Sequence, residues 1–348
     1  MLLELNQSAL ACQELRAVGE EVLALLERLA TGESAGSVRK RWPPGRRPKA
    51  AVVEAVAALA PEEQRLLCKA VASDLIFDEK FGDPTFEFAF PGLDVIVQEA
   101  GKALLVSVYE DVFCGKKGIA VAGKEVSRTI WEESFREANP EVEVCPACLS
   151  SPLEGPARNS SLSDADHYLP KSKYPALVVH GLNLVLMCQS CNGRLKGALD
   201  PLGDGGDMVP LDEIWFPYRR AGIEEVVLEF SPAERSTLAL GGSLEVRERA
   251  QRYERMFALV ERWTEALHSI ADRLPSLLLL RLKTNVDEAS IREELESQKE
   301  TADLDLTHEE RAFIKSRYYG WLLNTPKAFQ DLVAEVETLR KERTELTS

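Results

Sequence analysis

Two cysteine pairs constrain this chain more than any other feature. "CPAC" runs from Cys145 to Cys148 and "CQSC" from Cys188 to Cys191. Both are C-x-x-C, and two intervening residues let a tight turn aim both sulfurs at one ion. Two such turns complete a four-thiolate tetrahedral site, the coordination of structural zinc. Four thiolates leave no open position for substrate, so an ion held there stabilises the fold and does not react. A thioredoxin-like redox pair is a second reading, but it leaves one C-x-x-C without a role. Four unrelated thiols are a third. The other cysteines, Cys12, Cys68 and Cys114, stand alone and read as small buried hydrophobes in a reducing compartment.

The gap between the pairs spans 39 residues, longer than in a minimal zinc ribbon and long enough for an inserted element. It contains "DADHYLPKSKYP", Asp164 to Pro175, and then "HGLNLVLMC". The coarse pattern is strand, loop, strand, helix. The first strand ends near His167, Tyr168 to Gly181 is a loop with two prolines, and Asn183 to Met187 is a short apolar strand. The second cysteine pair then opens a helix through Asn192 and Lys196.

These residues suit phosphodiester hydrolysis. That reaction needs an activated water, a Lewis acid at the phosphate and stabilisation of the leaving oxygen. His167 is a general-base candidate, because an imidazole titrates near neutral pH. Asp166 and the side-chain carbonyl of Asn192 are oxygen ligands suited to a hard divalent cation. Adjacent strand residues point to opposite faces, so the strand must end or twist at Asp166-His167 for both to serve one site. Lys196 lies four residues beyond Asn192, one helical turn on, and reads as a holder of the scissile phosphate. Asp164 is an extra ligand or a solvated strand residue, and His180 touches phosphate or sits in the loop. Lys171, Lys173 and Arg194 contact a nucleic-acid backbone or are solvated loop charges.

Asp166-His167, then Asn183, then Asn192 directly after the last cysteine, resemble an HNH nuclease with a ββα-metal finger and two C-x-x-C knuckles. Asn192 stands where the last H of the family name is often replaced by Asn. The resemblance covers about Val142 to Leu202, a sixth of the chain. It implies a ββα-metal module and a catalytic set of His167, Asp166, Asn183, Asn192 and Lys196, with Asn183 bracing the loop and orienting His167. It also implies Mg2+ or Mn2+ at Asp166 and Asn192, with structural Zn2+ on Cys145, Cys148, Cys188 and Cys191. The implied activity is cleavage of DNA, double-stranded in the first instance, leaving a 5′-phosphate. Defence against phage or foreign DNA, sometimes beside an ATPase subunit, is implied more remotely. A double-strand cut by one such site calls for a homo-oligomer or two sequential nicks. A catalytically silent zinc module that binds nucleic acid or protein, and an RNase or nicking variant, are the alternatives.

The net charge of −15 argues against a general nucleic-acid coat protein, but charge acts locally. Between Glu141 and Asp200 six acids face five bases, a net of −1. "RKRWPPGRRPK", Arg39 to Lys49, carries six bases and no acid, and reads as a linker or a phosphate-contacting loop. Hydrophobic content of 45% and charged content of 28% are those of a globular protein. No segment is long and apolar enough for a membrane span, and "MLLELNQSAL" lacks the pattern of a signal peptide, so a cytoplasmic protein is expected.

The expected class is α+β and mostly helical, with the nuclease module flanked by helical regions. Residues 1–135 form a helical/α+β region, 136–215 the zinc-stapled module, and 216–348 short strands followed by helices. Helices are expected at 7–31, 49–59, from Pro61, and over 124–139. The β-rich pieces "TFEFAF", "LDVIV" and "ALLVSVY" suggest strands between Phe81 and Gly123. One long helix runs from Val246, with Tyr253, Phe257, Val260, Trp263, Leu267 and Ile270 on one face. Three more are expected near 276–299, 308–323 and 326–345.

Overall fold

Helices dominate the chain, as expected, and the described strands pair as three antiparallel hairpins. The structure is a computed structural model and describes residues 2–3, 5–6, 10–42, 46–115, 117–121, 124–153, 163–203, 208–231, 237–283 and 286–347. Contacts gather the chain into two units. One is mainly Leu3–Pro140 with Ala157–Ala221, and the other is Glu141–Pro156 with Gly222–Ser348. This grouping differs from the three regions read from sequence.

In the first unit, α1 (Leu10–Ala30) buries Leu15, Val18, Val22, Leu25, Leu26 and Leu29 at spacings of three and four. It packs on α4 (Pro61–Leu75) beside Gly19, where a Cβ would meet the Leu75 side chain at 3.0 Å. The basic segment is not a plain linker. It starts inside α2 (Ala35–Lys40), capped by Ser34, and α3 (Ala50–Ala57) follows it. Five of its bases have protein partners. Arg39 donates to Pro48 O (2.8 Å), Arg41 to Glu33 (3.1 Å), Arg46 to Glu125 (2.9 Å) and Arg47 to Trp42 O (2.5 Å), and Lys49 pairs with Asp111 (2.9 Å).

The expected strands between Phe81 and Gly123 are mostly helix. "LDVIV" and "ALLVSVY" form α5 (Val95–Ser107), started by Asp94 accepting from Ile96 N at 3.0 Å. α5 continues into a wide turn, Val108–Phe113. Val97, Gly101, Leu104, Leu105 and Val108 are buried at helical spacing, and that packing overrides the strand preference of β-branched residues. Gly101 is a close-approach position and not a breaker, since a Cβ there would meet Leu67 at 2.6 Å. "TFEFAF" forms no strand. Its Phe86 and Phe88 rings meet at 5.1 Å, and Phe88 leans on Tyr174 at 4.6 Å. The hairpin of this section is β1 (Ile119–Val121) with β2 (Lys124–Val126), so α6 (Arg128–Ala138) begins later than expected.

At the end of α4 the buried Asp74 carboxylate accepts from Ala89 N (2.7 Å) and Phe90 N (3.1 Å). Burial pushes its carboxyl up to about 7 despite these bonds. Folded protein therefore binds this proton more tightly than unfolded chain. The stability Asp74 contributes is present below pH 3.8 and lost as pH rises through 7. Urea unfolding between pH 4 and pH 8 should show stability falling less in Asp74→Asn than in the parent, by about 4 kcal/mol at most. Parallel pH profiles would place the carboxyl near its ordinary value.

The second unit carries the hairpin β5 (Leu228–Phe230) and β6 (Leu238–Leu240), and then helices. The single long helix expected from Val246 is two, α7 (Leu244–Phe257) and α8 (Leu259–Leu282). Ala258 takes a left-handed conformation (φ +46°) between them, and Glu254 caps α8 by accepting from Val260 N at 2.9 Å. The stripe residues Tyr253, Phe257, Trp263, Leu267 and Ile270 are buried core, with the Trp263 ring 5.2 Å from Phe313. α8 runs through Pro275, where a boundary is expected. α9 (Glu288–Leu304), α10 (Ala312–Asn324) and α11 (Pro326–Thr347) complete the unit. Among the described residues no helix is long and apolar enough to cross a membrane.

Candidate functional site

A hairpin with an unusually buried connection builds the site. β3 (Ser163–His167) pairs antiparallel with β4 (Leu184–Cys188), placing Asp166 opposite Val185 and His167 opposite Leu184. Every residue from Ala165 to Cys188 is buried except Lys171, Ser172 and Lys173. A buried loop must satisfy its own backbone groups. Asn183 does much of this, accepting from Leu169 N (2.7 Å) and donating to Leu169 O (3.0 Å) and Leu177 O (3.2 Å). Its own carbonyl accepts from Tyr168 N at 2.8 Å. Asn183 is thus a clip across the loop mouth.

The clipped loop presents Val178 O to His167, 2.9 Å from Nε2. A carbonyl only accepts, so Nε2 carries the proton and Nδ1 is the basic nitrogen. Burial pushes the imidazole down to about 3, which leaves it neutral at pH 7. The Tyr109 ring meets it edge-on at 4.4 Å. His167 is the last residue of β3, and the strand's end lets both Asp166 and His167 line one cavity of about 490 Å³. Asn192 lines the same cavity, with Lys171, Arg128 and Tyr109.

Lys196 is placed differently from the expectation. It is 1% exposed, and its ammonium donates to His167 O (2.7 Å) and pairs with Asp166 Oδ2 (2.9 Å). The segment Ser190–Lys196 is a wide π-type turn, bonded five residues apart, so Lys196 does not stack above Asn192 as in an α-helix. Its position is that of a counter-charge under the strand end and not of a phosphate holder. Lys196→Ala should therefore cost about 3 kcal/mol in denaturant unfolding, because it leaves the Asp166 carboxylate without its cation. A weakened nucleic-acid affinity at unchanged stability would restore the phosphate role.

The other candidates separate. His180 is buried, accepts from Leu182 N at Nδ1 (3.3 Å), and stands 3.7 Å from Asp78 and edge-on to Phe77. It is a loop residue, not a phosphate contact. Lys171 sits at the loop tip, pairs with Glu110 (2.6 Å) and lies over the Tyr109 ring. Lys173 is tied to Asp200 at 2.7 Å, and Arg194 is exposed. The Asp164 and Cys12 side chains lie outside the described residues. Cys68 is half-buried, with burial pushing its thiol up to about 11, whereas Cys114 is exposed where a buried thiol was expected.

The four cysteines of the two pairs are buried, and their sulfurs lie within 4.8 Å of one another. Thiolates at about 2.3 Å around a tetrahedral ion stand about 3.8 Å apart, so the cluster has the scale and donor chemistry for a metal such as zinc. The first pair is a knuckle, with Cys148 N and Leu149 N both donating to Cys145 O and Leu149 at φ +55°. Arg262 donates to Cys148 Sγ (3.1 Å) and Trp263 Nε1 to Cys148 O (2.9 Å), fixing that ligand's orientation. In the second pair, Cys188 ends β4 and Cys191 lies in the wide turn.

Tyr109 and Arg128 escape a motif reading because they come from α5's continuation and the start of α6, far upstream. One signal for Arg128 exists in retrospect. An arginine at the first position of a helix opposes the dipole, so its placement needs a compensating reason. Here it bonds Glu132 (2.8 Å) and lines the cavity. Comparison with protein-family models, curated proteins and solved structures returns no match.

Proposed function

We propose that this chain is a metal-dependent endonuclease of the HNH type that hydrolyses DNA phosphodiester bonds. The carrying observation is that Asp166, His167 and Asn192 line one cavity while Val178 O holds His167 with its basic Nδ1 available. Nδ1 takes the proton of the attacking water. The Asp166 carboxylate and the Asn192 side-chain carbonyl would hold a hard divalent cation, Mg2+ or Mn2+, which would supply Lewis-acid polarisation of the phosphate and of the leaving oxygen. Lys196 holds Asp166 in place and fixes the strand end through His167 O. Arg128 and Lys171 line the cavity, each paired with a glutamate (Glu132 and Glu110), and a phosphate would bind there by drawing these cations from their carboxylates. Zinc on the four cysteines is structural, and double-stranded DNA is the first substrate to test. A role in defence against foreign DNA, with an ATPase partner, extends the same reading.

The test is incubation with supercoiled plasmid, single-stranded DNA and RNA, each with Mg2+, Mn2+ or EDTA. Divalent-dependent nicking or linearisation of plasmid is expected. Cleavage of none of the three sinks the reading, and cleavage of RNA alone reassigns the substrate.

A further inference from the structure

The loop tip that serves the cavity at His167 also serves a second cleft. Pro170 O accepts from both Lys173 N (3.0 Å) and Tyr174 N (2.9 Å), closing Lys171–Ser172–Lys173 into a tight turn. Lys171 lines the first cavity, and Lys173 and Tyr174 line the second, a cleft of about 370 Å³. The α-carbons of Lys171 and Lys173 are within about 7 Å of each other. The two clefts therefore flank one turn of the chain.

The second cleft is built for something flat and uncharged. Its walls include the half-buried rings of Phe86 and Phe88, with Tyr174 and Phe77 packed against Phe88. The cation lining it, Lys173, is neutralised by Asp200 (2.7 Å) and donates to Gly203 O (3.2 Å), while the Tyr174 hydroxyl donates to the same carboxylate (2.8 Å). Glu87, exposed on the wall, adds a carboxylate that repels phosphate and accepts from an amino group. An anion is disfavoured there. A nucleobase is favoured, because any base stacks on an aromatic face and adenine, cytosine and guanine carry an exocyclic amine.

We propose that the Phe86–Glu87–Phe88 cleft is a subsite for one unstacked nucleobase of the substrate strand, near the scissile phosphate, with preference for an amino-bearing base. The proposal rests on the nuclease reading and sharpens it. The enzyme engages a single-stranded or locally unpaired nucleotide, and a fully stacked duplex must release a base to bind productively.

The test uses labelled single-stranded oligonucleotides and His167→Ala protein, which binds without cutting. Moving one abasic site along the strand should weaken binding roughly ten-fold at one position. Phe88→Ala and, separately, Phe86→Ala should weaken the intact strand by a similar factor and abolish the abasic effect. Glu87→Gln should narrow the preference for cytosine over thymine at that position. A flat abasic scan, with both phenylalanine variants binding as the parent does, overturns the subsite. So does displacement of the strand from wild-type protein but not Phe88→Ala by a proline-rich peptide, together with a flat scan. Cleavage by wild-type protein and its loss in His167→Ala report on the nuclease reading separately, so the two fail independently.

Discussion

His167→Ala should reduce plasmid cleavage by about 10²- to 10⁴-fold at pH 7.5 in Mg2+, the range for losing a positioned general base. The size follows from how the ring is held. Its Nε2 is engaged by Val178 O and its face by Tyr109, so Nδ1 points its lone pair in one direction only. Removing the imidazole leaves Val178 O unsatisfied in a buried loop, which costs about 1–3 kcal/mol of stability. Thermal unfolding must accompany the assay, so that a loss of rate is read on folded protein. The informative result is a folded variant with cleavage down at least 100-fold and strand binding nearly intact. Undiminished cleavage by a folded His167→Ala removes the base from this residue and from the proposed mechanism.

What the sequence made legible here is local. Metal-ligand spacing is set by the reach of a turn, so the two C-x-x-C pairs predict a cluster whose sulfurs the fold then gathers. The strand end at His167 is legible for the same reason, whereas the bracing role of Asn183 followed from the family resemblance, because its partners lie across the long loop between β3 and β4. The misses are tertiary. "LDVIV" carries strand-type residues, yet a cap at Asp94 and close packing at Gly101 make it helix. The α7–α8 break at Ala258 has no glycine or proline to mark it. It rests on a left-handed alanine and the reach of Glu254. Lys196 shares a face with Asn192 only if the turn is α-helical, and the wide turn there changes its role from ligand contact to buried counter-charge. Tyr109 and Arg128 reach the cavity from sequence-distant elements, and no spacing rule links them to His167.

Metal removal should have the largest effect on stability. Purified protein is expected to carry about one zinc per chain, because four buried thiolates in mutual contact range are costly without an ion to share their charge. Structural zinc contributes folding energy directly, and apparent values of about 10–16 kcal/mol are typical for small zinc modules. Part of that is recovered here by the apolar packing of β4, whose Leu184, Val185, Leu186 and Met187 are fully buried. Cys188→Ala should therefore lower stability by about 5 kcal/mol and release the zinc. At about 2–4 °C per kcal/mol for chains somewhat smaller than this one, Tm falls by roughly 10 °C or more. Cys114→Ala, at an exposed thiol outside the cluster, should change Tm by a degree or two. Slow dialysis against a strong chelator should reproduce the Cys188→Ala result in wild-type protein, and added Zn2+ should reverse it, whereas Mg2+ should not. Cleavage should fall with the loss of zinc even when Mg2+ is saturating, because Cys188 and Cys191 anchor β4 and the turn that carries Asn192. Protein with far less than one zinc per chain and an unchanged Tm in Cys188→Ala would assign the four cysteines to a role other than metal binding.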